Sequence, residues 1–336
     1  MSNTKSIGIL GAGTWGVALA RLLERNGHAV TVWSKFQHEV DALKSTRVHP
    51  NLPGLTISPE IAFTSDVAEV CRNKDILLFA VPSVFVRSTA ALAAEFIPDG
   101  QIIVDVAKGI EEETLFTMTE IIADEIKNPT VKLVALSGPT HAEELIKDLP
   151  TTIVSACEDL SAARFVQEVF TTACLRVYTN DDIKGVELCG ATKNVIALAS
   201  GIATGLGCGD NTKAALITRG IAEISRLGMA MGCREQTFGG LAGIGDLIVT
   251  ATSMHSRNNR CGMLIGQGIP VEEATRQIGM VVEGLNALPA TVILSRKYNV
   301  EMPIVEAVDA IVSGRAGVSE AIRTLMSRDP KSEINE

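Results

Sequence analysis

Neither cysteines nor histidines occur in pairs with metal-ligand spacing in this chain. The seven cysteines include no C-x-x-C pair, and the five histidines are scattered along the sequence. A zinc site and a disulfide framework both need closely spaced ligands or paired cysteines. We therefore predict no metal site, and we expect the cysteines to be reduced thiols of a cytoplasmic protein.

Basic clusters and long apolar runs are also missing. The formal net charge is −9, and no group of lysines and arginines resembles a surface for nucleic acid, so no nucleic-acid partner is expected. The longest uncharged stretch, residues 194–209, is too short and too rich in glycine to span a bilayer. Residues 1–5 are polar and lead directly into an apolar strand, so neither a signal peptide nor an anchor is expected.

A glycine-rich turn near the start of the chain is the first informative feature. An apolar strand at 6–10 is followed by Gly11, Gly13 and Gly16 in a G-x-G-x-x-G pattern, then by a helix and a second strand at 28–33. In this context the first glycine permits the tight turn, the second admits a pyrophosphate, and the third lets the helix pack on the strand. The pattern predicts a dinucleotide site, with an ordinary glycine-rich turn as the alternative.

The end of the second strand bears on the choice of cofactor. NAD sites usually place a carboxylate about 20 residues after the glycines, whereas here Trp33 is followed by Ser34 and Lys35. A hydroxyl and a cation suit a 2′-phosphate. The sequence therefore favours NADPH without excluding NADH, unless Lys35 is simply a solvated surface lysine.

Strand and helix patterns alternate through the first half of the chain and predict a doubly wound parallel sheet covered on both faces. After about Tyr178 only helical spacing remains. We predict an α/β fold with a Rossmann-type domain over 1–180 and an all-helical domain over 181–336. The predicted strands lie at 6–10, 28–33, 61–64, 76–81, 102–106, 132–136, 152–156 and 174–178. Helices are predicted at 39–44, 67–71, 84–96, 112–127, 182–203, 211–231, 257–266, 271–278, 284–298, 304–312 and 318–326.

Three predicted strands end in distinctive loops, and ligands of open parallel sheets bind at such ends. The loops are Pro82-Ser83, Ala107-Lys108-Gly109 and residues 137–142. Lys108 carries the only permanent cation among them. It is a candidate ligand-binding residue, with a loop lysine in water as the alternative.

A second lysine, Lys193, lies on a helical face made of small and apolar residues. Cys189, Gly190, Ile196 and Ala197 share that face and are all uncharged. Desolvation there lowers the pKa of a lysine and permits proton transfer near neutral pH. The alternative is a lysine whose stem packs in a helix–helix seam while its charge reaches water.

Asp246 follows four glycines within residues 239–245 and has no cation beside it in sequence. A buried carboxylate needs a partner, and Lys193 is the expected one. The alternative is that Asp246 caps a helix.

The segment Ser256-Arg257-Asn258 precedes an apolar helix. Backbone amides at a helix start, a hydroxyl and a guanidinium make a phosphate site. A basic turn on a solvated surface is the alternative.

Taken together, these segments resemble the bacterial NAD(P)-dependent glycerol-3-phosphate dehydrogenase family over nearly the whole chain. The motifs that carry the resemblance are Gly11-Ala12-Gly13-Thr14-Trp15-Gly16, Leu52-Pro53-Gly54, Ala107-Lys108-Gly109, Ser137-Gly138-Pro139, Lys193-Asn194, Gly243 to Asp246, Ser256-Arg257-Asn258 and Val281-Val282-Glu283-Gly284. The residues that follow Gly138-Pro139 vary in the family and are Thr140-His141 here.

The resemblance implies reversible reduction of dihydroxyacetone phosphate to sn-glycerol 3-phosphate for phospholipid synthesis, by a homodimer that uses NADPH or NADH. It implies catalytic roles for Lys193, Lys108 and Asp246. Substrate contacts are implied for Lys108, Gly138, Thr140, Lys193, Asn194, Asp246, Thr250, Ser256, Arg257 and Asn258. Cofactor contacts are implied for Gly11, Gly13, Thr14, Trp15, Gly16, Ser34, Lys35, Lys108, Ala142, Arg257, Val281 and Glu283.

Two other functions are compatible with parts of the pattern. A β-hydroxyacid-type dehydrogenase would keep the glycine motif and a lysine in the helical domain, but it would need a carboxylate-recognising loop. A non-catalytic sensor of NADP(H) would keep the glycines and could dispense with Lys193 and Asp246. The presence of both residues favours an enzyme.

Overall fold

An eight-stranded sheet is formed by the first half of the chain in a computed structural model that describes residues 4–330 and 332–333. The strands are β1 (Ser6–Leu10), β2 (Ala29–Trp33), β3 (Ala62–Thr64), β4 (Ile76–Phe79), β5 (Ile102–Asp105), β6 (Lys132–Ser137), β7 (Thr151–Ala156) and β8 (Leu175–Asn180). Their order in the sheet is β3-β2-β1-β4-β5-β6-β7-β8. The first six strands are arranged in the order of a dinucleotide-binding sheet. β2 and β3 lie on one side of β1, and β4, β5 and β6 lie on the other, so the order of the strands reverses between β1 and β4 while the strands themselves stay parallel.

One strand pair departs from the predicted parallel arrangement. β7 runs antiparallel to β6, with Ala135 opposite Ala156, and parallel to β8. Two parallel neighbouring strands need a connection, usually a helix, that carries the chain back to the end of the sheet where the first strand began. The connection over 138–150 contains only one four-residue helix, Ala142–Leu145. The strand β7 therefore starts at the same end of the sheet at which β6 finishes.

Sixteen α-helices are assigned among the described residues, seven before the end of β8 and nine after it. The first group is α1 (Thr14–Arg25), α2 (Gln37–Thr46), α3 (Val67–Cys71), α4 (Val86–Ala93), α5 (Met118–Ile126), α6 (Ala142–Leu145) and α7 (Leu160–Phe170). The second is α8 (Ile183–Gly205), α9 (Asp210–Ala230), α10 (Glu235–Phe238), α11 (Asp246–Thr252), α12 (Arg257–Gly266), α13 (Val271–Ile278), α14 (Glu283–Lys297), α15 (Pro303–Val312) and α16 (Val318–Met326). The sheet thus precedes an all-helical region, as predicted. The division into domains at 180/181 stays a prediction.

The helix predicted over 112–127 is shorter in the structure. Leu115 adopts a φ of 63°, which a right-handed helix does not allow, and Ile110 forms a bridge with Thr117. α5 starts only after Thr117, which forms a capping box with Glu120. The sequence interpretation also missed α7, whose N-cap is Asp159.

α8 crosses the centre of the helical region and is buried on every side. All residues from Gly185 to Ala203 are buried, so the helix has no solvated face. Lys193 and Asn194 are therefore held inside the protein by the helix that carries them. Their burial follows from the apolar sequence on both sides of them.

α8 and α12 approach each other through glycines. A methyl group at Gly201 would lie 2.1 Å from the carbonyl oxygen of Asn259, and one at Gly262 would lie 2.2 Å from that of Leu198. Gly205 and Gly266, one turn further along each helix, meet the facing backbone equally closely. This contact fixes the position of the α12 N-terminus relative to Lys193.

We predict that Gly201→Ala lowers the free energy of unfolding by about 1–3 kcal/mol, because the added methyl group must push two helix backbones apart. Denaturant unfolding followed by circular dichroism measures this effect. Gly239→Ala is the matched control, since the position is exposed, has right-handed φ and ψ, and has only one atom within ordinary contact distance of the new methyl group. Equal stabilities of the two variants would contradict the close-packing argument.

Candidate active site

A cavity of about 330 Å³ lies between the sheet and the helical region. Gly13 and Thr14 line it from the turn after β1, and Lys108 lines it from the loop after β5. Lys193 and Arg257 line it from α8 and α12. The cavity is thus at the carboxyl ends of the strands, where open parallel sheets bind ligands.

The turn after β1 leaves room for an anion. Gly11 has a φ of +124°, and a methyl group there would lie 2.5 Å from the carbonyl oxygen of Ala80. At Gly13, by contrast, a methyl group would meet no atom within 4 Å. Gly13 is the N-cap of α1, and no side chain caps that end of the helix. A pyrophosphate fits these features, because its charge would meet the free amides at the start of α1.

Asp246 is buried behind the wall of the cavity and joins two lysines that line it. Its Oδ1 accepts a hydrogen bond of 2.9 Å from Lys193 Nζ, and its Oδ2 accepts one of 2.6 Å from Lys108 Nζ. The three residues come from α11, α8 and the loop after β5. The structure therefore brings together the pair expected from sequence and adds Lys108 to it.

Thr250 completes the surroundings of the Lys193 ammonium. Lys193 Nζ donates to Thr250 Oγ1 at 2.5 Å, and Thr250 Oγ1 donates to the backbone carbonyl of Asp246 at 2.7 Å. Because Thr250 lies one turn after Asp246 on α11, a single helix supplies both acceptors. Lys193 is thereby held in one orientation.

Burial and charge act in opposite directions on these groups. Burial lowers the pKa of Lys193 to about 8, although the Asp246 carboxylate partly opposes the change. Burial alone would raise the pKa of Asp246, but the ammonium groups of Lys108 and Lys193 hold that pKa below its usual range. The site therefore keeps a permanent carboxylate beside a lysine that can exchange a proton near neutral pH.

The loop after β6 contributes Gly138, Thr140 and Ala142. Both Lys108 Nζ and Thr140 Oγ1 donate to the carbonyl oxygen of Gly138, each at 3.1 Å. Thr140 and Ala142 line the cavity. Gly138 thus positions Lys108 through its backbone carbonyl.

Asn194 and Asn258 link α8, α12 and α14. Asn258 Nδ2 donates to Asn194 Oδ1 at 2.8 Å, and Asn258 Oδ1 accepts from the amide of Gly284 at 2.8 Å. Asn194 Nδ2 donates to the carbonyl oxygen of Gly190 at 3.1 Å. Both asparagines line the cavity, and these bonds use two of the four hydrogen-bonding sites of each side chain. The structure shows them as positioning residues, and their predicted substrate contacts stay a prediction.

The start of α12 presents Ser256 and Arg257 to the cavity. Ser256 Oγ caps the helix by accepting from the amide of Asn259 at 3.2 Å. The half-buried Arg257 guanidinium has no ion pair with any described residue. A helix N-terminus with a free guanidinium beside it suits an anionic group.

Glu283, at the start of α14, reaches across to the loop after β4. Its carboxylate accepts hydrogen bonds from the amide of Ser83, at 3.1 Å, and from the Ser83 hydroxyl. Glu283 also lines the cavity. Val281 lies outside the set of lining residues, two positions before it.

Ser34 and Lys35 lie at the end of β2, outside this cavity. Ser34 is buried, and its hydroxyl donates to Glu39 Oε2 at 2.5 Å. A carboxylate therefore does stand near the end of β2, which the sequence interpretation missed. The acid comes from the first turn of α2, and the signal was an acidic residue five positions after Ser34.

His141 was not among the site residues predicted from the sequence. It lines the cavity, and its Nε2 is buried without a hydrogen-bond partner. Its position directly after Thr140, in a loop already singled out, was the available signal.

No group of three or more potential metal ligands occurs among the described residues. Within the same part of the chain, no helix is both long enough and apolar enough to cross a membrane.

Comparison with known proteins adds independent evidence. The family model for the N-terminus of NAD-dependent glycerol-3-phosphate dehydrogenase matches residues 6–163, and the model for the C-terminus matches residues 182–323. A curated glycerol-3-phosphate dehydrogenase of Lactobacillus delbrueckii subsp. bulgaricus, named as using NAD(P)+, is 64% identical over 98% of both chains. A similarly named protein of Agathobacter rectalis is 51% identical over 97% of both chains.

A solved structure agrees with these sequence matches. The crystal structure of glycerol-3-phosphate dehydrogenase from Coxiella burnetii is 34% identical to this chain and superimposes with a TM-score of 0.92. The match covers 97% of this chain and 99% of the other. The two family models, the relatives and the fold are in agreement: the chain belongs to the NAD-dependent glycerol-3-phosphate dehydrogenase family.

Proposed function

We propose that this chain catalyses the reversible reduction of dihydroxyacetone phosphate to sn-glycerol 3-phosphate with NADPH or NADH, a step that supplies glycerophospholipid synthesis. The observation that carries the proposal is the buried Lys193–Asp246 pair in a cavity that the glycine turn after β1 and the start of α12 both line. A homodimer in the cytoplasm belongs to the same proposal. Oxidation of NADPH or NADH on addition of dihydroxyacetone phosphate tests the reaction directly.

The cofactor would be held along the carboxyl edge of β1, β2 and β4. Gly11, Gly13 and Gly16 would receive the pyrophosphate, with Thr14 and Trp15 beside it. Toward the nicotinamide and the helical region, Lys108, Ala142, Arg257, Val281 and Glu283 would contact it. Ser34 and Lys35 would lie at the adenosine ribose. When bound, the nicotinamide supplies or accepts the hydride.

Lys193 would move the proton. Its ammonium donates a proton to the ketone oxygen during reduction, and its neutral amine takes one from the alcohol during oxidation. A pKa of about 8 allows both directions near neutral pH. Thr250 and Asp246 hold Nζ in place from one helix.

Lys108 would act on the polar end of the substrate, and Asp246 would act through the two lysines that it holds. Lys108 Nζ lies between the carbonyl oxygen of Gly138 and the carboxylate of Asp246, and it lines the cavity. An ammonium at this position stabilises negative charge that develops on a carbonyl oxygen. The negative charge of Asp246 offsets the repulsion between the two ammonium groups and keeps both lysines in the site.

The substrate phosphate would lie at the start of α12. Ser256, Arg257 and Asn258 begin that helix and line the cavity, and the free amides of a helix N-terminus favour an anion. Arg257 offers two parallel hydrogen bonds to phosphate oxygens. Gly138 and Thr140, with Asn194 from α8, complete the predicted substrate contacts.

We predict that Lys193→Met lowers kcat by about 100-fold or more, the usual size of general acid–base assistance. In the wild-type enzyme, reduction should slow as the pH rises through about 8, because Lys193 loses its proton, while oxidation of glycerol 3-phosphate should accelerate over the same range. The variant should lose both inflections. Lys184→Met, on the same helix but paired only loosely with Glu120, should change neither property. Near-normal turnover by Lys193→Met would exclude Lys193 as the proton donor.

Arg257→Ala should weaken productive binding of dihydroxyacetone phosphate by about 2–4 kcal/mol, because a charged bidentate partner is lost. KM should rise far less for unphosphorylated dihydroxyacetone, which does not use the phosphate site. Arg276→Ala, an exposed residue of α13, is the control. If only the KM for NADPH changes, Arg257 belongs to the cofactor.

Substitutions of Lys35 and Glu39 should change the preference for NADPH over NADH in opposite directions. Lys35→Ala removes a cation that suits a 2′-phosphate, so kcat/KM for NADPH relative to NADH should fall severalfold. Glu39→Gln removes a negative charge at Ser34 and should raise that ratio. Unchanged ratios in both variants would show that the ribose is recognised elsewhere. A preference for NADPH in the wild-type enzyme is part of the proposal.

A further inference from the structure

The imidazole of His141 has a buried nitrogen that no described residue satisfies. Its Nε2 makes no hydrogen bond, although the residue lines the candidate active-site cavity. Leaving a buried polar atom without a partner is unfavourable, and such atoms in native proteins call for an explanation. His141 is the N-cap residue of α6, but its side chain makes no capping bond, so a capping role does not explain it.

The position of the His141 ring shows which part of the cavity it lines. The centroids of the His141 and His255 rings are 5.7 Å apart, with the planes inclined at 55°. His255 directly precedes Ser256 and Arg257, which begin α12. The His141 ring therefore lies close to the start of α12, the end of the cavity where the substrate phosphate is proposed to bind.

Resting on that proposed function, we propose that His141 donates a hydrogen bond from Nε2 to the phosphate group of a three-carbon phosphate ester. The residue would be a specificity-determining contact on the sheet side of the cleft, opposite the guanidinium of Arg257. The two side chains would hold the phosphate from both halves of the protein. Binding of a phosphorylated ketone would then be favoured over binding of the free ketone.

The protonation state of His141 is consistent with this role. Burial, together with the positive charge of Lys193, lowers its pKa, so the ring is neutral at neutral pH. A neutral imidazole carries one N–H donor and one lone pair. It can therefore donate to a phosphate oxygen without placing another full positive charge beside Lys193 and Arg257.

Two substitutions separate the hydrogen bond from the shape of the side chain. His141→Phe keeps an aromatic ring and removes the donor, whereas His141→Gln keeps an N–H near the position of Nε2. We expect His141→Phe to raise KM for dihydroxyacetone phosphate about tenfold, with kcat changed less than threefold and KM for NADPH unchanged. His141→Gln should recover most of the loss. His38→Phe, an exposed histidine on α2, should behave as wild type.

Unphosphorylated dihydroxyacetone distinguishes the phosphate from the rest of the substrate. Its KM should be the same in the wild-type enzyme and in His141→Phe. Equal losses for both ketones, a change confined to NADPH, or identical behaviour of the Phe and Gln variants would each overturn the assignment.

A binding measurement keeps this test separate from that of the proposed reaction. In the wild-type protein, the ¹⁵N resonances of the His141 ring should shift on addition of inorganic phosphate or sn-glycerol 3-phosphate, and should not shift with glycerol. If dihydroxyacetone phosphate is not reduced at all, the proposed function fails, but this titration still decides the role of His141. Absence of a shift with either phosphate would exclude the contact.

Discussion

The carboxylate of Asp246 is the constraint on which the rest of the site depends. It is almost completely buried, and each of its oxygens accepts a hydrogen bond from a different lysine. Removing such a carboxylate would leave two ammonium groups facing each other in a poorly solvated cavity. Because Lys108 belongs to the sheet region and Lys193 to the helical region, this single ion pair network also ties the two halves of the protein together.

The burial of α8 allows a lysine of that network to exchange a proton near neutral pH. A lysine on a solvated helix would keep a pKa near its ordinary value, since water would stabilise its charge. Lys193 lies instead in the middle of a helix that has no solvated face, and the glycine contacts between α8 and α12 bring the Arg257 end of α12 close to it. The apolar residues around Lys193 therefore determine its proton affinity, while glycines determine which groups stand nearby.

Sequence reasoning succeeded where a charged residue stands in apolar surroundings, because such a residue requires an oppositely charged partner from elsewhere in the chain. Lys193 and Asp246 each stand in uncharged surroundings, and a buried charge needs an opposite charge, so their pairing could be predicted although they are 53 positions apart. Glu39 was missed because it returns to Ser34 through the turn before α2, and no strand or helix pattern encodes that return. The direction of β7 and the positive φ of Leu115 were missed for a related reason, since each depends on tertiary packing of a connection.

The electrostatics of the cavity oppose those of the whole chain. The protein carries a net charge of −9, yet Lys108, Lys193 and Arg257 all line the cavity. The N-terminal residues of α1 and α12 also face it, and the free amides of helix N-termini add positive potential. Arg260 lines the cavity as well, and the carboxylates of Glu143 and Glu283, which also line it, offset part of this charge. The buried Asp246 offsets a further part, but its oxygens are turned to the lysines and are not open to a ligand. A dinucleotide and a phosphorylated ketone are both anionic, so a field of this sign favours the two ligands.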